Sequence, residues 1–156
     1  MQKTFSHTAI FFVLVLTVSA AACTPQSCLE ETDAFVKATF YSRLTGKTAV
    51  PDSITMYGVN MSSTRLYNKA TGIQPAYIPL NGSTESCSWV IKINGVRDTI
   101  TFEYTSSPHL VSMECGYTFY HTLSDSVYYT KNKIADIVIK NENVTTLKEE
   151  NIRIFY

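Results

Sequence analysis

Alternation of apolar and polar residues is strongest between Ser86 and Tyr104. Cys87, Trp89, Ile91 and Ile93 interleave with Ser88, Val90 and Lys92; Asn94-Gly95 interrupts the pattern, which resumes from Val96 to Tyr104. Asn-Gly between two period-two runs predicts a hairpin, because a type I′ turn needs positive φ at both central positions. A two-residue loop also fixes register, placing Ile93 opposite Val96, Trp89 opposite Ile100 and Cys87 opposite Phe102. One face then collects Cys87, Trp89, Ile91, Ile93, Val96, Ile100, Phe102 and Tyr104. The other collects Ser88, Val90, Lys92, Arg97, Thr99, Thr101 and Glu103. Asp98 is the misfit on the apolar face, expected to be tolerated because it lies near the turn.

The run Ser106-Ser107-Pro108-His109 predicts a second turn, with Thr105 opposite Leu110 and with Val111, Met113 and Cys115 joining the apolar face. A three-strand meander from Ser86 to Cys115 follows. Further strands are predicted over Ala34–Tyr41, Ser53–Asn60, Arg65–Tyr67, Ala76–Leu80, Thr118–His121, Ser126–Tyr129, Ile134–Ile139 and Asn151–Tyr156, the last completing a sheet edge. Asn81-Gly82 marks another turn, and Pro51, Pro75 and Pro79 punctuate the first half. Many short strands separated by turn signals predict an all-β fold, an antiparallel β-sandwich, immunoglobulin-like or similar, or a small barrel.

The amino-terminal pattern is different. Lys3 precedes an unbroken apolar run of 14 residues, Ala9 to Ala22, which ends in small residues directly before Cys23. The run is too short to span a hydrocarbon core that needs about 20 residues. Positive start, short apolar stretch and small-residue cleavage site are the layout of an export signal. Leu16 to Cys23 resembles a bacterial lipobox, with Ala20 where Leu is usual, so acylation is expected at Cys23. The alternative is an ordinary secretory cut after Ala20-x-Ala22, leaving Cys23 as an amino-terminal thiol. Two or more acyl chains anchor stably where one does not. The expected organisation is a signal peptide over 1–22, a lipid-anchored tether over 23–33 and a β-sandwich domain over 34–156, in the cell envelope at the outer membrane.

Removing 22 of the 156 residues leaves 134, enough for one well-packed domain. Only Lys3 is lost among the charges, leaving 12 basic against 13 acidic residues. No Lys/Arg run occurs along the chain, so no nucleic-acid or anionic-membrane footprint is expected. With Cys23 acylated, Cys28, Cys87 and Cys115 remain, an odd number for an oxidising compartment. In the predicted meander Cys87 and Cys115 lie two strands apart, about 9–10 Å, whereas a disulfide needs Cα atoms within about 7 Å. That disfavours Cys87–Cys115; the expected pair is Cys28–Cys115, which would pin the tether to the domain, with Cys87 then an inward-facing free thiol.

Several stretches carry a family resemblance: the Cys23…Cys28 opening, Phe35-Val-Lys-Ala-Thr-Phe-Tyr41, Asp98-Thr-Ile-Thr-Phe-Glu-Tyr-Thr105, Cys115-Gly-Tyr117 and the closing Asn-Ile-Arg-Ile-Phe-Tyr. In these the chain resembles small Bacteroidota lipoproteins that carry a domain of unknown function. Cys87 looks like an addition to that pattern, in keeping with its being unpaired. The resemblance implies an exported, lipid-anchored β domain and no particular activity. It also draws attention to Asp-Ser/Thr-apolar triplets, which are similar to the O-glycosylation signal of such bacteria. They make Ser53, Thr99 and Ser126 candidate acceptors, Thr99 on the polar face of the hairpin. The Asn-x-Ser/Thr triplets at Asn60, Asn81 and Asn143 read as chance in a bacterium.

Catalytic chemistry is not expected. No G-x-S-x-G, P-loop or dinucleotide motif is present, and no cofactor is implied. His109, Glu114, Cys115 and His121 match no zinc spacing, so no metal is expected. Two functions remain. The first is a non-enzymatic interaction domain or subunit of an envelope complex, bound to the membrane through Cys23. The second is a carbohydrate-binding module that presents Tyr117, Tyr120, Tyr128 and Tyr129 to a glycan.

Overall fold

Eleven strands follow one another in a computed structural model, which describes residues 27–156. They are β1 (Phe35–Tyr41), β2 (Ile54–Gly58), β3 (Arg65–Ala70), β4 (Ala76–Pro79), β5 (Ser86–Ile93), β6 (Val96–Ser112), β7 (Gly116–Leu123), β8 (Tyr128–Tyr129), β9 (Asp136–Ile139), β10 (Asn143–Val144) and β11 (Glu150–Phe155). A four-stranded sheet in the order β4-β1-β11-β9 forms one layer. The other is seven-stranded, β10-β7-β6-β5-β2-β3, with β8 also on β6. No helix occurs among the described residues. The result is an all-β, sandwich-like domain, as the patterning predicts.

The core lies between the layers. Val36, Ala38 and Phe40 alternate inward on β1 and meet Ile152 and Ile154 of β11 from the same sheet. Ile54, Met56, Ile91, Ile93, Ile100 and Phe102 face them from the other. Fully burying one such side chain contributes about 1.5–3 kcal/mol, so this double row dominates the stability. The central hairpin has the predicted register, Ile93 opposite Val96, Trp89 opposite Ile100 and Cys87 opposite Phe102. Its turn residues Asn94 and Gly95 have φ of 51° and 86°.

Several details depart from the sequence reading. The chain does not turn at Ser106–His109: β6 runs on to Ser112, and the hairpin closes through Met113, Glu114 and Cys115 to β7. Tyr104 donates its N–H to Glu85 on the β5 side, whereas the Glu103 carbonyl accepts from Ser124 on the β7 side. By alternation Pro108 turns its nitrogen to the edge that β5 no longer covers, so no ladder hydrogen bond is lost. Val111 and Met113 therefore add nothing to the core, and Met113 is exposed. The closing strand β11 is interior, not an edge. It pairs antiparallel with β9 and parallel with β1, so the fold is not purely antiparallel.

The other departures concern single side chains and charge. Asp98 is buried rather than tolerated at a turn, and Val90 is buried on the face read as polar. Val96 is exposed. Although no basic run exists along the chain, the outer face of the seven-stranded sheet sets Lys92 directly opposite Arg97 and next to Thr55, where Lys69 also arrives. The short β10 carried no periodic signal, since two residues cannot show one.

Candidate functional site

The β2–β5 pairing ends with Gly58 opposite Trp89, while β4 of the other layer ends at Pro79. Between the layers at this point a cleft of about 480 Å³ opens, walled by Val59, Met61, Pro79, Leu80, Cys87 and Trp89. Its rim is set by local backbone chemistry. Val59 N–H bonds the Ser88 carbonyl and Met61 N–H bonds the Gly58 carbonyl, with Asn60 between them at φ 65°. Asn is among the few residues that hold this left-handed conformation at low cost. The turn tips Val59 and Met61 outward, 38% and 63% exposed.

The opposite wall is held from a distance. The Tyr104 hydroxyl donates to the Asn81 carbonyl and accepts the Asn81 N–H, both at 3.0 Å. Phe119 packs so closely over Gly82 that a Cβ there would lie 2.5 Å from the ring. Gly82 is thus required for close approach, not for a positive φ. At the cleft floor, burial pushes the Cys87 thiol up, outweighing the opposing influence of the neighbouring Tyr104 and Trp89 side chains. A protonated thiol is a small apolar wall rather than a nucleophile. The lining holds no acid–base pair, and its walls offer apolar contact from Val59, Met61, Pro79, Leu80 and Trp89.

The sequence reading assigned Trp89 and Cys87 to the buried face without anticipating a cleft over them. The available signal was Val59 and Met61, two apolar residues in a turn, where polar residues are usual.

The other predicted positions are scattered. Cys28 and Cys115 form a disulfide, with Cα atoms 4.8 Å apart. Cys115 lies in the β6–β7 turn rather than on the third meander strand, so the pairing stands although the register argued for it does not. Cys87 is the free cysteine among the described residues. Cys23 and the expected signal peptide over 1–22 lie outside the described residues.

The four tyrosines do not share one surface. Tyr117 and Tyr128 are exposed, 74% and 56%. They lie opposite Leu110 and Thr101 of the same strand, nine residues and so about 30 Å of strand apart. Tyr120 and Tyr129 are half-buried against the core. Tyr120 stacks on His109 and hydrogen-bonds Thr146, and Tyr129 donates to Asp136. Among the candidate acceptors, Ser126 is exposed in the β7–β8 loop, whereas Ser53 and Thr99 are half-buried. His121 is buried, its Nδ1 2.8 Å from Ser106 Oγ.

The fold and cleft define a two-layer β domain with an apolar end cleft. The chain belongs to a family of unknown function, DUF6452, whose model matches residues 53–156. That span includes the whole cleft and Cys115 but neither β1 nor Cys28. No curated protein and no solved structure matches the chain.

Proposed function

We propose that this protein is a non-catalytic interaction domain, tethered to the outer membrane of a Bacteroidota envelope by acylation of Cys23. In this reading it receives an apolar side chain of a partner envelope protein in the cleft beside Trp89. The observation that carries the reading is the cleft: apolar, open to solvent and without an acid–base pair. Pockets of about 300–1,000 Å³ are usual binding sites, and aromatic residues in them are frequent energetic anchors. The Cys28–Cys115 disulfide supports the tether, because it pins the chain five residues after Cys23 to the tip of the β6–β7 hairpin. Leu29, Leu110, Met113 and Tyr117, all exposed, cluster in sequence around that junction, as suits an end that faces a bilayer. Ser126 is the acceptor best placed for an O-glycan.

Affinity capture of the tagged, natively expressed protein from gently solubilised membranes tests this. An equimolar partner captured by the wild type and lost on Trp89→Ala or Met61→Asp supports the reading. Capture indifferent to both substitutions overturns it. A mature chain found soluble and without acyl groups on Cys23 removes the tether.

A further inference from the structure

The outward face of the seven-stranded sheet carries a second cleft, of about 440 Å³, across β3, β2 and β5. Arg65, Lys69 and Lys92 line it together with the hydroxyls of Thr55 and Tyr57, and no carboxylate does. The cations come from two separate parts of the chain, which is why no basic run announced them.

Their placement is built. The β2–β3 ladder shifts register between Ile54 and Met56, so that β3 bulges at this point. Within the bulge Lys69 has φ 48°, and its N–H bonds Thr55 Oγ1 at 3.0 Å. A left-handed lysine is uncommon, and bulges characteristically re-aim a side chain. Arg65 is oriented by two hydrogen bonds, from Nη1 to Asn68 Oδ1 at 2.6 Å and from Nε to the Ser62 carbonyl. Lys92 sits directly opposite Arg97 on β6, a like-charge pair that destabilises a sheet unless something offsets it. The ion pairs among the described residues, Glu31–Lys148 and Glu150–Arg153, involve none of these four cations.

We propose that this cleft binds the phosphate or sulfate group of a hydroxylated small molecule, of which a sugar phosphate is the simplest example. Arg65 presents the planar donor fork suited to such oxyanions, and Lys69 and Lys92 add compact charges. Thr55 and Tyr57 serve ligand hydroxyls. The cleft lies near the amino-terminal end of β6, whereas the Cys28–Cys115 junction lies past its other end. Arg97 and Ser112 are 15 residues apart, about 50 Å of strand. The ligand is accordingly a soluble molecule rather than a headgroup of the membrane that holds the tether.

The test uses the mature chain carrying Cys23→Ser, isotopically labelled for NMR, with glucose 6-phosphate, inorganic phosphate, glucose and phosphatidylglycerol vesicles as probes. Glucose 6-phosphate is expected to shift the amides of Thr55, Lys69 and Lys92 saturably, inorganic phosphate to shift the same amides, and glucose to leave them unmoved. Lys69→Gln with Lys92→Gln weakens binding about tenfold or more, as loss of charge-assisted hydrogen bonds requires. Arg65→Gln alone provides an independent variant should the double one lose its fold. Equal shifts with glucose and glucose 6-phosphate, or undiminished binding in folded variants, overturn the proposal. Vesicle binding through the same lysines with no response to glucose 6-phosphate overturns the assignment to a soluble ligand.

Discussion

The carboxylate of Asp98 accepts the backbone N–H of Ile134 at 3.0 Å, with both residues sealed from solvent. It also accepts the N–H groups of Asn132 at 2.8 Å and Lys133 at 2.7 Å, and the Thr130 hydroxyl at 2.6 Å. The segment so held connects β8, on the seven-stranded sheet, to β9, on the four-stranded one. One buried side chain therefore fixes the crossover between the layers.

Asp98→Asn is expected to destabilise the domain by about 2–4 kcal/mol, because an amide nitrogen would face backbone donors that have no other partner. Burial on its own would raise the carboxyl, but the hydrogen bonds from Thr130, Asn132, Ile134 and Lys133 outweigh it and hold the group below the usual carboxylate range. Its contribution is therefore complete above the unfolded value of about 3.9, and is lost as pH falls through the lower folded value. Urea unfolding across this range should show a steeper acid loss in the wild type than in the variant.

His121 governs a milder window. Burial pushes its imidazole down, so the folded state binds its proton less readily than the unfolded chain does. Stability from the neutral ring is complete above about pH 6.5 and declines as pH drops through the lower folded value. His121→Gln should flatten unfolding free energy between pH 7 and 5 while lowering it at neutrality, as the Ser106 hydrogen bond and the edge-on contact with Tyr104 are altered.

Reduction of Cys28–Cys115, or Cys28→Ser, should lower stability by up to about 4.6 kcal/mol, the chain-entropy value for a closure of this span. The two cysteines are 87 residues apart. The Thr118 hydroxyl on the Thr32 carbonyl and the Glu31–Lys148 pair also hold this segment. Calorimetry with and without reductant gives the number, and an unchanged transition would mean that those contacts suffice.

Cys87 should alkylate slowly at neutral pH, since burial raises its thiol and keeps the reactive thiolate scarce. Peptide mass analysis without reductant should find Cys87 modified much more slowly before unfolding than after it, and Cys28 and Cys115 unmodified throughout. Rapid labelling of Cys87 in the folded protein would show that its thiolate is not scarce at neutral pH.

The hairpin around Asn94-Gly95 was legible because its turn chemistry and period-two pattern are local, and local rules fix register without reference to the remaining chain. The same locality explains the error at Pro108. Proline reads as a turn until it is known which strand edge is open, and that depends on where β5 starts. The Cys28–Cys115 pair does not follow from strand register, because Cys115 lies in the β6–β7 turn and not on a third meander strand. Asp98 looked like a defect because its partners lie more than thirty residues away.

Sequence alone established strand content, the central hairpin, the export-like amino terminus and the absence of familiar catalytic motifs, all properties of neighbouring residues. The three-dimensional arrangement decided the rest. It placed β11 beside β1, opened a cleft over Trp89 and brought Arg65, Lys69 and Lys92 to one surface. The physical reason is the same in each case: strands pair through backbone groups that every residue carries, so which distant strands become neighbours depends on packing of the whole core.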